Sequence, residues 1–491
     1  MNNYKFGNYI CKLREEHNMT QADLAKILDV SDKAVSKWEN GDAKPRIATC
    51  YRLASVLGVS INELLSCENY ITIPARKELE KLNHKLWKEA YNQLSIYGPT
   101  PPAVCWSRLA SEEAALRETD AIQGFAIMGK LQAEARKKNT IVLSSGTINS
   151  SFAAWLFGGT MVNPLKAHYR CPVCGTVEFV PDVSDGFDLP QKYCGCGAEL
   201  LRDGHNLPYE GYAQAEQLGT HLEFRISRNF LPTAVKTLKE FYAGVTELLP
   251  IKMVSDYNHE AVDRYVILPE NKARPTLSAD GFWHVSMDDY WDWQENETSF
   301  TFLVSEQLTR LDQQNVENNV LPDPITLMTP QLAKVLHNQR KNAVPHVYSL
   351  LQPDNNQSFH ALLRIDGWMH GTCEWDAKKQ PIPEEVISHL PYVPTTREDI
   401  WNTISVALEQ NGIRDDGLAL LVMEKARKGL FLSKGMPANI AHLLLSIGLP
   451  EWYSEYLSKI MYLFPKGHCV AFLLIEALLA WTQNFGPKSE A

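Results

Sequence analysis

Four cysteines of the sequence form two closely spaced pairs. Cys171 and Cys174 are separated by Pro-Val, Cys194 and Cys196 by one glycine, and nineteen residues lie between the pairs. Zinc binds four ligands at the corners of a tetrahedron, and two cysteine pairs on separate turns supply them. A reactive dithiol is the alternative, but such a motif needs no second pair. The pattern therefore predicts a zinc site, with a structural role because four sulfurs leave no coordination position open.

A second group of residues has the spacing of two short helices joined by a tight turn. Thr20 and Asp23 form a capping-box pattern at one helix start, and Ser31 is placed to cap the next helix. This arrangement lets the second helix lie in the major groove of DNA while the first crosses the backbone. Residues 19–25, 30–31 and 35–41 resemble the Cro and phage-repressor, or XRE-like, class of helix-turn-helix regulators.

This resemblance implies double-stranded DNA as a partner and assigns roles by position. Gln21 and Lys37 would contact phosphates, and Trp38 would belong to the core. Four further positions would read or flank base edges: Asp32, Lys33, Ala34 and Ser36. Members of the class commonly dimerise on palindromic sites, so a homodimer is compatible with the pattern. The alternative is a helical bundle used only for protein contacts.

Motifs in the rest of the chain point to a second family. Five segments look like the palm of the PolC-type alpha subunit of bacterial DNA polymerase III, including its four-cysteine zinc element: 144–151, 162–165, 168–172, 186–190 and 203–208. Four later segments resemble the fingers of that polymerase: 370–375, 423–429, 449–453 and 464–468. The resemblance implies a polymerase-related body with a poorly matched middle.

The residues that would carry catalysis depart from this family. Polymerases hold two Mg²⁺ ions with acidic side chains, and the ions bridge the incoming phosphates and the primer hydroxyl. The family has an Asp-x-Asp pair shortly after the zinc element, but His221 and Glu223 stand at those positions here. We therefore expect a degenerate catalytic site, in which Mg²⁺ matters only if polymerase activity persists.

Other positions retain residues that could bind phosphate. In the loop that cradles the triphosphate, Ser145 replaces an arginine of the family. Six residues remain where the resemblance implies contacts with nucleotide or template: Gly146, Thr147, Arg427, Lys428, Lys466 and His468. A role in helix packing is the alternative for the segment around residues 464–468.

Three functions follow from the two resemblances. The first is a sequence-specific DNA-binding transcriptional regulator, whose polymerase-derived and catalytically inactive body senses nucleotides or nucleic acid such as a primer-template, or serves as a partner platform. The second is a residual PolC-type DNA polymerase or nucleotidyltransferase. The third is an interaction or decoy protein that competes for replisome partners.

Hydrophobic periodicity predicts the elements that must position these residues. Residues 1–68 are expected to form an all-α head of five short helices, and residues 69–102 a helical linker that ends at a Gly-Pro break. Residues 103–345 combine helical and β-rich runs and predict an α+β, palm-like region with its zinc element at 168–208. Residues 346–491 are mainly helical in pattern and predict a fingers-like region. The expected fold class is therefore multidomain.

The composition is that of a folded protein with more than one core. The chain has 491 residues, 45% of them hydrophobic, and a net charge of −10, which argues against indiscriminate coating of nucleic acid. Residues 1–68 contain nine basic and nine acidic side chains, so the remainder contains 48 − 9 = 39 basic and 58 − 9 = 49 acidic ones. Six cysteines are scattered, and no apolar run reaches the roughly 18 residues that span a bilayer. We expect a cytoplasmic protein with no membrane partner.

Overall fold

A computed structural model of the chain combines many helices with one large sheet, as predicted for a multidomain protein. It describes residues 3–28, 30–40, 43, 45, 47–59, 64, 76–116, 121–144, 146–209, 221–241, 248–253, 263–267, 283–285, 299–318, 328–351, 357–373, 393–413 and 416–485. No helix within these ranges combines the length and the apolar character that crossing a bilayer requires.

The N-terminal head is helical, as predicted. Its helices are α1 (Asn3–Glu16), α2 (Gln21–Leu28), α3 (Asp32–Glu39) and α4 (Ile47–Val56). The Thr20 N–H donates to the Asp23 carboxylate at 2.9 Å and the Asp23 N–H donates to the Thr20 hydroxyl at 3.1 Å, so the predicted capping box begins α2. The fifth predicted helix, 61–65, lies outside the described residues except for Leu64, which is buried in the head core.

The helical linker packs into the body. Helix α5 (Arg76–Gln93) continues as a 3-10 turn (Leu94–Tyr97) and ends at Gly98, whose φ of 88° favours glycine. Helices α6 (Ala103–Leu116) and α7 (Ala121–Lys137) follow. Trp87 and Leu94 of the linker share one hydrophobic core with Phe224 of the sheet. The end of the linker is therefore part of the body core and is not a free spacer.

The middle of the chain forms a six-stranded mixed sheet. The strands are β1 (Leu143–Ser144), β5 (His221–Ile226), β6 (Leu248–Met253), β7 (Asp263–Ile267), β8 (Trp283–Val285) and β9 (Ser299–Val304). Their spatial order is β1-β5-β9-β7-β6-β8, with β5 antiparallel to β1 and parallel to β9. Helices α9 (Leu231–Phe241) and α10 (Glu306–Asn318) follow β5 and β9 in the chain.

A smaller sheet lies between β1 and β5 in the sequence. After the short helix α8 (Phe152–Leu156), strands β2 (His168–Arg170), β3 (Val177–Phe179) and β4 (Leu201–Asp203) form an antiparallel sheet in the order β3-β2-β4. The first cysteine pair lies in the turn from β2 to β3, and the second pair lies between β3 and β4. The sheet therefore brings both pairs to one end.

The described residues of the C-terminal region are mainly helical. Its helices are α11 (Pro330–Ala343), α12 (Pro345–Leu351), α13 (Phe359–His370), α14 (Arg397–Gln410), α15 (Asp416–Arg427), α16 (Leu430–Lys434), α17 (Ala438–Ser446), α18 (Glu451–Leu457) and α19 (Lys466–Asn484). Strand β10 (Thr372–Cys373) pairs with β11 (Ile460–Tyr462). A Cβ at Gly467 would lie 3.0 Å from the Cβ of Asn149, so the first turn of α19 closely approaches the segment after β1.

Candidate nucleic-acid interface and metal centre

Helix α3 has one buried face and one exposed face. Val35 and Trp38 are buried in the head core, and the Ser31 hydroxyl caps the helix by accepting a hydrogen bond from the Ala34 N–H at 3.2 Å. Ala34 also packs partly against that core. Of the residues predicted to meet DNA, Asp32, Lys33 and Lys37 are exposed and Ser36 is half-buried.

A buried ion pair supports α3 from the inside of the head. Arg14 of α1 binds both carboxylate oxygens of Glu39, with Nε 2.6 Å from Oε1 and Nη2 3.1 Å from Oε2. Gln21 Nε2 donates to Oε2 of Glu39 at 2.7 Å. Burial opposes ionisation of Glu39, but these hydrogen bonds outweigh it and lower the pKa of that carboxyl. Gln21, a predicted phosphate contact, thus ties α2 to the end of α3.

The four predicted ligand cysteines come together at the end of the small sheet. Cys171 Sγ lies 3.5 Å from Cys196 Sγ, and Cys174 Sγ lies 3.5 Å from Cys194 Sγ. All four sulfurs lie within 4.8 Å of one another. Tetrahedral zinc with bonds of about 2.3 Å would place its sulfur ligands roughly 3.8 Å apart. The arrangement therefore fits a tetrahedral metal ion held by four thiolates.

At the first cysteine pair, the chain also stabilises the thiolate form that metal binding requires. The backbone N–H groups of Val173 and Cys174 each lie 3.4 Å from Cys171 Sγ. The Thr176 hydroxyl lies 3.1 Å from Cys174 Sγ, and its hydrogen bond is the main cause that lowers the pKa of the Cys174 thiol to about 6. A bound zinc ion would supply a crosslink between the two cysteine turns.

Strand β5 carries the two degenerate catalytic positions. Alternation places Glu223 and Arg225 on one face of the strand, whereas Phe224 is 1% exposed on the other face, and the side chain of His221 lies outside the described residues. Glu223 lies opposite Thr301 on β9. Within the described residues, the four cysteines are the one group of three or more possible ligand side chains close enough to hold a metal. Sequence reasoning missed Arg225, although a cation two positions after Glu223 in an alternating segment was a usable signal.

A small open cleft lies between strands β1 and β5 and helix α19. The centre of the Arg225 guanidinium lies 4.1 Å from the Phe472 ring centroid, a cation–π contact between strand and helix. Burial, followed by the charge of Arg225, holds the pKa of His468 well below its usual range, so this imidazole is neutral near pH 7. The cleft is lined by Leu143, Ser144, Arg225, His468, Ala471, Phe472 and Ile475.

The three other cations that the sequence assigns to phosphate binding contact groups of the chain itself. Lys466 is 3% exposed, and its ammonium donates to the His205 carbonyl at 2.7 Å. Arg427 makes hydrogen bonds of 2.5 and 2.7 Å to the Glu424 carboxylate, and Lys428 Nζ lies 3.4 Å from the same group. Of the three, Lys428 has the most exposed side chain, at 54%. The structure therefore brings His468 to the cleft but turns Lys466 into the interior.

Gly146 and Thr147 lie in a 3-10 turn (Gly146–Ser150) that connects β1 with α8. Arg108 of α6 donates to the Ser150 carbonyl at 2.7 Å and to the Glu112 carboxylate at 2.6 Å. The buried Glu112 accepts hydrogen bonds of 2.9 and 3.0 Å from two N–H groups at the start of α8. Arg108 and Glu112 thus position the turn, and nothing in their local sequence marks that role. The side chain of Thr147 lies outside the described residues.

Comparisons with known proteins define the class of each part. Residues 12–64 match the helix-turn-helix family, so the head is a domain of the class that the sequence predicts. This domain stands at the start of a chain whose remainder is similar to a second class of protein.

The body is similar to "DNA polymerase III PolC-type" proteins. The protein from Oceanobacillus iheyensis is 26% identical over an alignment that covers 87% of this chain and 34% of the relative. The proteins from Lacticaseibacillus paracasei and Staphylococcus haemolyticus are 26% and 27% identical, over 82% and 84% of this chain and 32% of each relative. The chain thus spans about a third of the length of these relatives, and both predicted resemblances are confirmed.

Proposed function

We propose that the protein is a sequence-specific DNA-binding transcriptional regulator, whose polymerase-derived body binds nucleotides or nucleic acid without transferring phosphoryl groups. The exposed polar surface of α3 carries this proposal. Lys37 would meet a phosphate while Asp32, Lys33 and Ser36 would read or flank base edges, and the opposite face anchors the helix in the head core.

Strand β5 supports the inactive character of the body. Two-metal phosphoryl transfer depends on carboxylates that hold both ions. One carboxylate of the expected pair is replaced by His221, and Arg225 adds a positive charge on the same face as Glu223. A nearby cation disfavours binding of a divalent metal, whereas it favours binding of an anion such as phosphate. We assign zinc to the four-cysteine centre because tetrahedral all-sulfur sites of this spacing favour that ion.

The DNA-binding part is tested by fluorescence anisotropy of the full chain. The labelled probe is the duplex upstream of the gene for this protein, with unlabelled nonspecific DNA as competitor. A good base contact contributes about 1–3 kcal/mol, and loss of a phosphate contact adds to this, so Lys37→Ala combined with Ser36→Ala should weaken binding about tenfold or more. The matched control is Lys236→Ala in α9, whose side chain is 77% exposed. Equal affinities for the double variant and the wild type would contradict the assignment of α3.

The body is tested with a labelled primer-template, nucleotides and Mg²⁺. We expect binding without primer extension. Extension by the wild type that disappears in Glu223→Ala, and persists in Glu240→Ala, would replace the proposal with residual PolC-type polymerase activity. Glu240 is the matched control because its carboxylate lies on an exposed helix surface, with a side-chain exposure of 66%.

A further inference from the structure

We propose that the four-cysteine centre is a site of oxidative modification by peroxides, and that its oxidation releases the end of linker helix α5 from the body. The centre would then couple the redox state of its surroundings to the segment that joins the head to the body.

Two glycine backbones meet where the linker enters the body. A Cβ at Gly175 would lie 2.3 Å from Gly98 Cα and 2.5 Å from Gly98 N, so no larger residue fits. The Gly175 N–H donates to the Cys171 carbonyl at 3.1 Å, and Gly175 directly follows Cys174. The turn that touches the linker is therefore the turn that carries two of the four sulfurs.

Tyr97, the last residue of the linker turn, is held by the same sheet. It is 1% exposed, and its hydroxyl accepts a hydrogen bond of 3.0 Å from Asn163 Nδ2. The Asn163 amide also donates to Asp203 of β4 at 2.6 Å. The His168 ring of β2 lies 5.6 Å from the Tyr97 ring, centroid to centroid. Strands β2 and β4 and the first cysteine turn thus all contact the 3-10 turn and Gly98, which end the linker after α5.

The cysteines are arranged so that an oxidant can reach them and link them. Cys174 and Cys196 are exposed, whereas Cys171 is buried. The sulfurs pair at 3.5 Å as Cys171 with Cys196 and Cys174 with Cys194. A disulfide has an S–S length of about 2.05 Å, so each pair needs to approach by roughly 1.5 Å. Each such bond would pull the two cysteine turns out of the tetrahedral arrangement.

The chemistry needs one peroxide for each disulfide. A thiolate attacks the peroxide, the O–O bond breaks, and the sulfur becomes sulfenic acid while the departing oxygen takes a proton. The paired thiolate then attacks that sulfur, an S–S bond forms, and the S–O bond breaks as hydroxide leaves and is protonated to water. The two electrons lost by the two thiolates are those gained by the peroxide, and half of the metal's donor set is lost with each bond.

The test uses the full chain loaded with zinc and titrated with hydrogen peroxide. Zinc release is followed with a colorimetric chelator, disulfides by mass spectrometry, and the end of α5 by hydrogen exchange of the amides of residues 84–98. We expect exchange there to rise at least tenfold as zinc leaves, and to return after thiol reduction and zinc addition. Complete zinc release without a change at 84–98 would overturn the coupling, and zinc retention while Cys11 is oxidised would overturn the modification.

Two glycine variants separate the linker contact from general damage. Gly175 and Gly197 have φ values of 72° and 89°, so Ala strains the backbone at either position. Nothing lies within 4 Å of a Cβ at Gly197, whereas a Cβ at Gly175 collides with Gly98. Gly175→Ala should therefore raise exchange at 84–98 in the reduced, zinc-loaded protein, and Gly197→Ala should not. Neither measurement uses DNA, so this inference and the proposed function can fail separately.

Discussion

The head and the body place two lysines that the sequence predicts to bind phosphate in opposite environments. In the head, Lys37 is exposed on α3, whereas the charged pair of Arg14 and Glu39 is buried. In the body, Lys466 is buried and donates to the His205 carbonyl. Burying a charge is costly unless the charge is paired or hydrogen-bonded. The internal contacts of Lys466 therefore keep its ammonium group in the interior. A motif therefore fixes the position of a cation, but its surroundings decide whether the charge can meet a ligand.

The largest expected effect is the loss of the buried lysine. Lys466→Ala removes a positive charge that favours the ionised forms of the buried Asp185 and Asp399 carboxylates, and removing one partner of a buried charge network costs about 3–5 kcal/mol. We expect a clearly lower urea midpoint for the body transition. The control Lys428→Ala, at a half-exposed side chain, should change stability by about 0.5 kcal/mol or less. Similar midpoints for both variants would place Lys466 among the ligand-accessible cations.

Acidification should open the body before the head. Burial lowers the pKa of His360 to about 4 and that of His468 well below its usual range. Below about pH 6.5, histidines of the unfolded chain bind protons that the buried histidines of the folded body do not. The free energy of unfolding of the body therefore decreases between about pH 6.5 and pH 4. The decrease is roughly 3 kcal/mol for His360 alone. Glu39 has a lowered pKa, so its contribution to the head persists until the pH falls below its unfolded value near 4.5.

Hydrogen exchange of the full chain at pH 5 checks this order. Amides of α13 and α19 should exchange faster than at pH 7.5 after correction for intrinsic rates, while those of α1 and α3 should be unchanged. His360→Gln should flatten the pH dependence of the body. Faster exchange in the head than in the body would show that the head is the more acid-sensitive region and would contradict this prediction.

A smaller effect is expected at the junction of α2 and α3. Gln21→Ala removes the hydrogen bond to Glu39, and a bond of this kind to a charged group contributes about 1.5–3 kcal/mol. If Gln21 mainly stabilises the head, the variant should lower the thermal midpoint of the head. It should then weaken DNA binding only as far as the fraction of folded head decreases. If affinity falls while the midpoint is unchanged, Gln21 is a phosphate contact and its bond to Glu39 breaks on binding.

The smallest effect is a change in salt dependence. Lys37→Ala should lower the slope of log affinity against log salt concentration by about 0.9, the release expected for one phosphate contact. Fold stability should remain within about 0.5 kcal/mol because the side chain is exposed. Anisotropy titrations at several salt concentrations measure the slope. An unchanged slope would mean that Lys37 does not meet a phosphate.

Local patterns could be predicted from the sequence, and long-range placement could not. The Thr20–Asp23 capping box, the buried Trp38 and the sulfur cluster follow from spacing within a few residues or from metal chemistry. The inward direction of Lys466 depends on the His205 carbonyl, a residue far away in the sequence. The support that Glu112 gives to α8 likewise depends on how two separate helices pack. Such contacts follow from tertiary structure, which no local pattern specifies.

The strand pairing of the body has a consequence for how the chain folds. Leu143 pairs with Arg225, and Glu223 pairs with Thr301, so the central sheet closes loops of many tens of residues. Proteins with such high contact order fold slowly, whereas short helical domains with local contacts fold in microseconds to milliseconds. The head also precedes the body during synthesis. A folded DNA-binding domain would therefore be tethered to the ribosome while the body is still being made, and it could begin its search for DNA before the body is complete.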